Sequence, residues 1–363
     1  MERIDCVVAG AGVIGLAAAR TLAMAGREVV ILEREGMLGT GISSRNSEVI
    51  HAGMYYPADS LKARFCVAGN RMLQDFAKTH GVPFRMVGKL IVATDEAEER
   101  QLSEIMAKGR RNGVANLRPI PPSEAMAMEP ELRCTAALWS PDTGILDTHA
   151  FMLALLGDAE AHGAAIAYNT PVESGRLADG GMILSVGGAS PLEIQARTVV
   201  ITAGLHSSQV ARAIGLPGVP PTHLCKGNYF SLTGKQPFQR LVYPVPVSAG
   251  LGVHYTLDLG GCGRFGPDVE WTTEENYSVD KARCASFYDA IRRYWPHLHD
   301  GALEPAFAGI RPKLQAPGEP VRDFLIMGPR EHGVPGAIAL CGIESPGLTA
   351  ALALAEHIVA ITQ

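Results

Sequence analysis

Apolar and polar positions alternate along the chain with the periods of short strands and helices. An apolar run at residues 4–9 leads through closely spaced glycines into an alanine-rich helix ending near residue 25, and a second apolar run covers residues 29–32. This order of strand, turn, helix and strand is typical of the first βαβ unit of a doubly wound parallel sheet. Helical periodicity predicts further helices at residues 60–79, 96–112, 150–162, 286–295 and 347–361.

Other apolar runs predict the remaining strands. They lie at residues 81–93, 136–139, 198–202, 224–232, 241–246, 252–259, 263–266 and 337–340. The runs at 198–202 and 337–340 are continuous, as in the buried strands of a parallel sheet. The short runs between residues 224 and 266 are separated by glycine and proline, which favours a mostly antiparallel sheet.

Strand–helix patterns typical of nucleotide-binding domains therefore occur at the start, the middle and the end of the chain, with β-rich segments between them. The fold class that this predicts is α/β, or α+β overall. We predict a discontinuous Rossmann-like nucleotide-binding domain, formed by residues 1–84, 148–218 and 307–363. A second discontinuous domain, formed by residues 85–147 and 219–306, is predicted to carry the mostly antiparallel β-sheet and to bind the substrate.

Composition agrees with a globular protein of this size. The length of 363 residues allows two domains with substantial cores. Hydrophobic residues make up 47% of the chain and charged residues 19%, an ordinary balance. The net charge of −5 argues against a nucleic-acid-binding protein, which would carry a basic excess.

Cysteine usage and hydropathy bear on the cellular location. The seven cysteines are dispersed without a CxxC pair, which favours reduced thiols in a cytoplasmic protein. The apolar N-terminal stretch contains Asp5 and the glycine spacing of a buried strand and helix, so we do not expect export. No uninterrupted apolar run reaches the about 18 residues that a membrane span needs. We expect a cytoplasmic protein, with at most peripheral contact with the inner face of the membrane.

The first motif with chemical meaning is Gly10-x-Gly12-x-x-Gly15, between the first strand and the first helix. Gly10 permits a tight turn, Gly12 lets the backbone approach a pyrophosphate, and Gly15 lets the helix pack on the strand. Glu33 follows about 20 residues further on, where a carboxylate suits ribose hydroxyls and disfavours the 2′-phosphate of NADP. The cofactor contacts predicted from this unit are Gly10, Gly12, Val13, Ile14, Gly15, Glu33 and Arg34.

The segment 43–56 concentrates a cation, small hydroxyls, an imidazole and two phenols just downstream of this motif. Few of these groups are needed merely to turn a loop. A segment that begins near a bound pyrophosphate and ends with His51, Tyr55 and Tyr56 can reach from the phosphates of a cofactor to its reactive ring. We predict cofactor contacts here at Ser44, Arg45, Asn46, Ser47, His51 and Gly53.

Two distant segments favour FAD over NAD. The strand and turn at residues 199–204 resemble the middle of many FAD-binding domains, where they lie against the adenine half. Near the end of the chain, residues 342–349 run directly into a helix, with Pro346 at its first position and Ser345 as a capping candidate. The positive end of such a helix suits the N1–C2=O edge of isoalloxazine, where negative charge collects on reduction. The further predicted contacts are Val172, Ala203, Gly204, Ser345, Pro346, Gly347, Leu348 and Thr349.

Several segments together carry a resemblance over nearly the full length. They are Ser44-Arg45-Asn46-Ser47, Val49-Ile50-His51-Ala52-Gly53-Met54-Tyr55-Tyr56, Ser60-Leu61-Lys62-Ala63, Gly88-Lys89-Leu90-Ile91-Val92-Ala93, Thr143-Gly144-Ile145-Leu146-Asp147, Tyr243-Pro244-Val245-Pro246, Gly252-Val253-His254-Tyr255-Thr256, Gly309-Ile310-Arg311-Pro312-Lys313 and residues 342–349. The chain thereby resembles the FAD-dependent D-amino-acid-oxidase superfamily, and within it the L-2-hydroxyglutarate dehydrogenase/oxidase group. The resemblance implies a flavoprotein that oxidises a small 2-hydroxy acid, with L-2-hydroxyglutarate as the leading substrate, by hydride transfer to flavin N5.

The catalytic candidates are two histidines and one arginine. His51 suits the removal of the hydroxyl proton because the pKa of an imidazole lies close to pH 7. His254 is the second candidate for this role. Arg311 stands in Gly-Ile-Arg-Pro, where the superfamily places the arginine that binds a substrate carboxylate, and a planar guanidinium matches a carboxylate. A dicarboxylate needs a second cation, for which the sequence offers Lys226, Lys89 and Lys313. Tyr56 and Tyr255 are further candidates for binding the substrate.

Two other functions stay open at this point. The first is oxidation of an amino acid or N-methyl amino acid of the glycine, sarcosine or D-amino-acid type, which shares the cofactor and the carboxylate-binding arginine. The second is a flavin-binding protein without turnover. The electron acceptor is equally open, since a quinone, a carrier protein or oxygen would each serve. The pair His297-x-His299 has metal-like spacing but lies in a predicted surface loop, so we expect no metal site.

Overall fold

The computed structural model describes residues 2–246 and 252–362. Its helices are α1 (Val13–Met24), α2 (Leu61–His80), α3 (Glu96–Arg111), α4 (Pro122–Met128), α5 (Thr148–Ala161), α6 (Ser207–Ala213), α7 (Cys284–Arg292), α8 (Pro329–His332) and α9 (Gly347–Thr362). Within the described ranges, none of these helices is long and apolar enough to cross a membrane.

The strands are short and lie in three sheets. They are β1 (Glu2–Ala9), β2 (Val29–Leu32), β3 (Val49–Ile50), β4 (Phe84–Arg85), β5 (Lys89–Ala93), β6 (Arg118–Ile120), β7 (Ala136–Ser140), β8 (Gly144–Leu146), β9 (Ala165–Ala167), β10 (Val172–Ala178), β11 (Gly181–Val186), β12 (Leu192–Ile201), β13 (His223–Leu232), β14 (Leu241–Pro244), β15 (His254–Leu257), β16 (Gly263–Gly266), β17 (Glu270–Thr272), β18 (Leu303–Lys313), β19 (Leu325–Met327) and β20 (Ala337–Cys341).

The first sheet is built around β12. On one side, β12 pairs in parallel with β1, and the parallel order continues through β2 to β9. On its other side, the first half of β12 pairs with the antiparallel hairpin β10–β11, and the second half pairs in parallel with β20. Val199, Val200 and Ile201 are fully buried, as expected for a strand covered on both faces. The Rossmann-like parallel sheet predicted from the sequence is confirmed.

The second sheet runs in the order β17-β13-β16-β15-β14-β5-β7-β6, and β18 pairs with β13 along nearly its whole length. Within the described ranges, its one parallel pair joins β14 to β5. The mostly antiparallel sheet is therefore confirmed. Strand β18 extends across the predicted domain boundary at residues 306 and 307 and belongs to this second sheet. The division into two discontinuous domains stays a prediction.

Most predicted elements lie within a few residues of the observed ones, with two kinds of difference. The predicted strand at 81–93 is divided into β4 and β5, because Gly88 between them adopts a φ of 75° and its backbone packs against Trp139. The hairpin β10–β11, the strand β18 and several short elements were not predicted; the short elements are α4, α6, α8, β3, β6, β8, β9, β17 and β19. Pro305 and Pro312 interrupt the strand pattern of β18, which accepts them because it pairs with β13 alone among the described strands and so lies at an edge.

Helix α2 begins and ends at residues with clear capping roles. The Ser60 side chain accepts a hydrogen bond from the backbone N–H of Ala63, and the Asp323 carboxylate accepts from the N–H groups of Leu61 and Lys62. Gly81 ends the helix with a φ of 66°. These contacts fix the start of α2, and with it the side chain of Lys62.

Helix α9 packs against both α1 and α2. The closest approach is at Gly69 of α2, where an added Cβ would lie 2.2 Å from the carbonyl oxygen of Thr349 and 3.0 Å from the Cα of Ala350. Only a glycine lets the two backbones come this close. The start of α9 is therefore held against the middle of α2.

We expect Gly69→Ala to lower the free energy of unfolding by about 3 kcal/mol, because the new methyl group would meet backbone that must shift. Gly157, inside α5, provides a matched control, since a Cβ there would meet nothing within 4 Å. Gly157→Ala should raise stability by about 0.5–1 kcal/mol through helix propensity. Thermal unfolding of the two purified variants measures both effects. Equal stability of Gly69→Ala and wild type would contradict the close contact between α2 and α9.

Candidate active site

A cavity of about 1590 Å³ lies between the two large sheets. The carboxyl ends of the parallel strands contribute Ala9, Leu32 and Leu340, and the antiparallel sheet contributes Tyr229 and His254. Ligands of open α/β sheets bind at this edge of the parallel strands. Pockets for small ligands usually measure about 300–1,000 Å³, so this one has room for a dinucleotide together with a small substrate.

The glycine turn forms one end of the cavity by close backbone contacts. Gly10 adopts a φ of 110°, and an added Cβ would lie 2.7 Å from the carbonyl oxygen of Thr202. A Cβ on Gly15 would lie 1.9 Å from the carbonyl oxygen of Gly10, so Gly15 packs the helix on the strand and does not line the cavity. Gly12 precedes α1 without a side-chain cap. The helix N-terminus therefore presents backbone N–H groups and positive potential to the cavity.

Glu33 is held by the same turn. Its carboxylate accepts hydrogen bonds from the N–H groups of Ala11 (2.7 Å) and Glu35 (2.9 Å), and it is 8% exposed. These bonds fix an acidic group at the end of β2 on the cavity wall. Such a group suits the hydroxyls of a ribose. Arg34, beside it, also lines the cavity and pairs with Glu35.

The segment after the second strand supplies an arginine and small polar groups. The guanidinium carbon of Arg45 lies 4.1 Å from the centroid of the Tyr277 ring, and its Nε is buried without a hydrogen-bond partner. An unpaired guanidinium N–H at a cavity wall is suited to an anionic ligand. The Ser47 hydroxyl lies 2.7 Å from the Tyr229 hydroxyl, and Asn46 uses its amide to close the loop.

His51 follows β3, and its backbone is bonded to side chains of α2 and α9. Its backbone N–H donates to Thr349 Oγ1 (3.0 Å), and its carbonyl accepts from the amide of Asn70 (2.9 Å). Nε2 lies 3.3 Å from the hydroxyl of Ser345, while Nδ1 is buried and bonds to none of the described residues. Desolvation, with smaller contributions from Lys89 and His254, lowers the pKa of His51 well below its usual range, so the ring is neutral at pH 7.

Arg311 projects from β18 into the cavity and is oriented by backbone carbonyls. Its Nε donates to Cys225 (3.2 Å), and Nη2 donates to Lys226 (3.0 Å) and Asp268 (2.7 Å). No carboxylate is among these partners, so the positive charge is available to an anion. The bonds also fix the plane of the guanidinium, and they leave the N–H groups of Nη1 to a ligand.

A buried ion triad lies close to Arg311. Glu344 accepts from the ammonium groups of Lys313 (2.7 Å) and Lys62 (2.9 Å), and all three residues line the cavity. Burial alone would raise the pKa of Glu344, but the two ammonium groups outweigh it and hold the pKa below the usual range. One carboxylate balances only one of the two ammonium groups, so the triad keeps a net positive charge on the cavity wall, and Lys313 shares Glu344 with Lys62.

Aromatic rings form another part of the cavity wall. Tyr243 and His254 stack with ring centroids 3.6 Å apart and planes at 11°. Behind them lies Lys89, fully buried, with its Nζ 4.3 Å from the centroid of Tyr243 and 4.9 Å from that of Tyr55. Burial lowers the pKa of Lys89 from 10.5 to about 7. Tyr55 and Tyr243 line the cavity, whereas Lys89 does not.

The structure brings most of the predicted residues to one cavity. The lining includes Gly10, Gly12, Val13, Ile14, Glu33, Arg34, Arg45, Asn46, Ser47, His51, Tyr56, Val172, Ala203, Gly204, His254, Arg311, Ser345, Pro346, Gly347 and Leu348. Helix α9 begins at Gly347, one residue after the predicted Pro346, and the hydroxyl of Ser345 faces His51.

Other predicted residues lie outside the lining, each for a local reason. Ser44 bonds to carbonyls of its own turn, and Gly53 packs against Val67. Tyr255 points to the other face of its strand and donates to the carbonyl of Phe238. Thr349 holds the backbone of His51. Lys226 donates to the carbonyl of Ser278 and lies 3.8 Å from Glu270.

Sequence reasoning missed several residues of the cavity wall. Ser43, not Ser44, accepts a hydrogen bond from the N–H of Val13 (2.9 Å) at the start of α1. Tyr229, Tyr243 and Tyr277 were not singled out, although Tyr243 stood within a recognised segment. The adjacent serines Ser43 and Ser44 indicated that a hydroxyl could bond to the start of α1. The sequence does not show which of the two hydroxyls faces the helix.

Comparison with known proteins identifies the family. The family model described as FAD dependent oxidoreductase matches residues 5–361. The chain belongs to this family. The predicted cofactor, FAD, and the predicted membership of the D-amino-acid-oxidase superfamily are thereby confirmed.

Relatives and solved structures agree with this membership. The chain is 46% identical to a protein of Arabidopsis thaliana named "L-2-hydroxyglutarate dehydrogenase, mitochondrial", over 98% of this chain and 83% of that one. It is 28% identical to L-2-hydroxyglutarate dehydrogenase of Escherichia coli K12, over 99% of this chain and 93% of that one. The fold matches L-alpha-glycerophosphate oxidase of Mycoplasma pneumoniae with FAD bound, at a TM-score of 0.90 and 24% identity, over 100% of this chain and 95% of that one.

The residues present fit FAD. The turn at Gly10 and Gly15 has no space for side chains, the N-terminus of α1 opens into the cavity, and Glu33 is fixed beside it. Arg45 offers a buried N–H without a partner to an anionic group. We predict that Gly12 and Arg45 contact the pyrophosphate, that Glu33 binds the ribose, and that Ser345, Pro346 and Gly347 lie beside the flavin ring.

The pH dependence of stability should report the burial of Lys89. Its pKa is about 7 in the folded protein and near 10.5 in the unfolded chain, so the unfolded chain binds more protons between these values. The free energy of unfolding of wild type should therefore rise relative to Lys89→Met as the pH increases from 7 towards 10. The upper limit is about 5 kcal/mol, at 1.36 kcal/mol per pKa unit. Urea unfolding of both proteins across this range measures it, and a constant difference would contradict the lowered pKa.

Proposed function

We propose that this FAD dependent oxidoreductase oxidises a small 2-hydroxy acid to the 2-oxo acid, with L-2-hydroxyglutarate as the leading substrate. The observation that carries the proposal is the placement of Arg311 and His51 on one cavity with the FAD-binding residues. The 46% identity to a plant protein named L-2-hydroxyglutarate dehydrogenase supports the choice of substrate.

Arg311 binds the C1 carboxylate. Its guanidinium has no acidic partner, and three backbone carbonyls fix its plane. Nη1, which these carbonyls leave free, donates to the carboxylate and orients C2 and its hydroxyl within the cavity. The arginine thus selects an acid and sets the geometry for reaction at the adjacent carbon.

His51 accepts the hydroxyl proton. The lowered pKa keeps the imidazole uncharged at neutral pH, and the side chain lines the cavity. The contact between Nε2 and Ser345 and the bond from the His51 N–H to Thr349 restrain the ring. Bound FAD supplies the acceptor for the hydride that leaves C2. Loss of this hydride and of the hydroxyl proton together converts the alcohol to the carbonyl.

Several finer points stay predictions. The substrate is a small carboxylate, and the oxidation needs an electron acceptor, which we propose to be a quinone, a carrier protein or oxygen. A cytoplasmic location, with at most peripheral membrane contact, also stays a prediction. His254 stacks on Tyr243 at the cavity wall and remains the second candidate for the base.

An anaerobic substrate screen tests the function. L- and D-2-hydroxyglutarate, lactate, malate and glycerol 3-phosphate are compared with glycine, sarcosine and D-amino acids by loss of the absorbance of oxidised flavin. Rapid loss with L-2-hydroxyglutarate supports the proposal. Loss with amines alone would move the protein to amino-acid oxidation, and no loss with any acid would leave a flavin-binding protein without turnover.

Arg311→Lys should lower kcat/KM by about 10–100-fold, mainly through a higher KM. Lysine keeps the charge but lacks the planar group whose position the three carbonyls fix, and hydrogen bonds to charged groups contribute about 1.5–3 kcal/mol. Steady-state kinetics with the best acid of the screen measures the effect. Arg240→Lys, where the arginine pairs with Glu129 outside the cavity, is the control. Wild-type kinetics for Arg311→Lys would show that Arg311 does not bind the substrate.

His51→Gln should keep bound FAD but slow its reduction by the substrate about 10²–10⁴-fold, the usual contribution of a general base. Glutamine fills a similar volume and cannot accept the proton at neutral pH. Stopped-flow absorbance gives the rate of reduction, and the flavin spectrum gives the FAD content. His162→Gln, at the exposed end of α5, should reduce at the wild-type rate. Unimpaired reduction in His51→Gln would transfer the role to His254.

A further inference from the structure

The ion triad of Lys62, Lys313 and Glu344 carries one positive charge more than its own carboxylate balances. Glu344 accepts hydrogen bonds from Lys62 at 2.9 Å and from Lys313 at 2.7 Å. Burial opposes its ionisation, but the two ammonium groups hold the pKa of Glu344 below its usual range, so it is a carboxylate at pH 7. The pair of Lys62 and Glu344 would be neutral by itself. Lys313 therefore adds a charge that the triad does not need, and an anionic ligand would balance it.

The two lysines differ in how far the protein occupies their ammonium groups. Lys62 also donates to the carbonyl of Arg322 at 3.1 Å, and its Nζ lies 5.5 Å from the centroid of the Phe324 ring. Lys313 bonds to Glu344 alone among the described residues, and its side chain is 14% exposed compared with 7% for Lys62. Since an ammonium group has three N–H donors, Lys313 is the member of the triad that can donate to a ligand in the cavity.

Asp323 is another carboxylate on the cavity wall, but it serves the start of α2. It accepts hydrogen bonds from the backbone N–H groups of Leu61 at 2.6 Å and of Lys62 at 3.0 Å. Its charge thereby offsets the positive end of that helix. Among the described residues, the ion pairs of Lys62 and Lys313 are formed with Glu344 and not with Asp323. The excess charge of the triad is thus left to the cavity.

Lys313 lies on the same strand as Arg311, two residues further along β18. Both side chains line the cavity, as expected for alternate residues of a strand, whose Cα atoms are about 6–7 Å apart. Three backbone carbonyls fix the guanidinium of Arg311, and Glu344 fixes the ammonium group of Lys313. The terminal carbons of an extended five-carbon chain are about 5 Å apart, from four C–C bonds of about 1.5 Å. A five-carbon diacid can therefore present one carboxylate to each cation.

The triad also lies next to the proposed base along the chain. Glu344 directly precedes Ser345, whose hydroxyl is 3.3 Å from Nε2 of His51. Arg311, His51 and Lys313 all line the same cavity. An acid held at both ends by the two cations would thus have its carbon chain in the part of the cavity that His51 reaches.

We propose that Lys313 binds the distal carboxylate of the substrate, so that the enzyme prefers a dicarboxylic 2-hydroxy acid to a monocarboxylic one. This inference rests on the proposed function, in which Arg311 binds the C1 carboxylate. Glu344 positions the ammonium group of Lys313, and Lys62 keeps the triad positive when Glu344 is ionised. The charge acts strongly on a bound anion because the cavity wall screens charge less than water does.

The first test compares two inert acids with the wild-type holoenzyme. Glutarate and pentanoate both have five carbons, neither has a hydroxyl group to oxidise, and only glutarate has a second carboxylate. Calorimetric titration gives the Kd of each. We expect glutarate to bind about 10–100-fold more tightly, the contribution of a hydrogen bond between charged groups. Equal affinities, or no measurable binding of glutarate, would overturn the proposal without any variant.

The second test removes the charge of Lys313. Lys313→Met should weaken the binding of glutarate by about 10–100-fold and leave that of pentanoate nearly unchanged, because only glutarate reaches the second cation. The same calorimetric titration of the variant holoenzyme measures both. An equal loss of affinity for the two acids would show that Lys313 shapes the cavity without binding a carboxylate, and would overturn the proposal. If the variant does not fold, the wild-type comparison still decides.

Two further variants separate charge from shape and position. Lys313→Arg keeps a cation at this place and should retain a preference for glutarate over pentanoate. Loss of the preference in both Lys313→Arg and Lys313→Met would contradict a role for the charge. Lys281→Met removes an exposed lysine that pairs with Glu304, and it should bind both acids as wild type does.

Kinetics then distinguish this inference from the proposed function. With L-2-hydroxyglutarate, Lys313→Met should raise KM by about 10–100-fold, whereas KM for L-2-hydroxypentanoate, which lacks the second carboxylate, should stay nearly constant. Oxidation of L-2-hydroxyglutarate with an unchanged KM in Lys313→Met would overturn this inference alone. Preference for glutarate in an enzyme that does not oxidise L-2-hydroxyglutarate would support the carboxylate site and contradict the proposed reaction.

Discussion

The structure depends on the close approach of α1 to the end of β1. The carbonyl oxygen of Gly10 occupies the space that a Cβ of Gly15 would need, and Thr202 closes the turn from the neighbouring strand. Since this contact excludes side chains, the N-terminus of α1 lies directly at the carboxyl ends of three parallel strands. The positive potential of the helix, the carboxylate of Glu33 and the hydroxyl of Ser43 then face one cavity. Every other part of the candidate site is placed relative to this turn.

Local patterns predicted the parts of the fold that neighbouring residues determine. The βαβ unit around Gly10 and the six longer helices were found because their signals lie within a few turns of chain, whereas the short helices α4, α6 and α8 were missed. The strand β18 was missed because its prolines are tolerated only at a sheet edge, which is a property of tertiary structure. The same limit applies to the site: His254 faces the cavity and Tyr255 faces away, since adjacent strand residues alternate, but the sequence does not tell which of the two faces is lined.

The candidate cations show why residue type alone does not rank them. Lys313 is bonded to Glu344, Lys226 is bonded to a backbone carbonyl, and Lys89 lies behind a layer of rings. Arg311 alone among these predicted cations combines a place on the cavity wall with partners that are all uncharged carbonyls. The charge that a ligand meets is set by these partners, which come from distant strands and loops. No spacing along the chain reports them.

The contact between Thr349 and the backbone of His51 has a consequence for biosynthesis. The cavity is made from the glycine turn at residues 10–15 and from residues 342–349, which are more than 300 residues apart along the chain and so leave the ribosome at different times. The first βαβ unit can form early, but its nucleotide-binding edge stays incomplete until the strand and helix near residue 349 have emerged and closed a very long loop. Cofactor capture is therefore a late event, and the partly made protein must keep its apolar strand ends protected from aggregation until then.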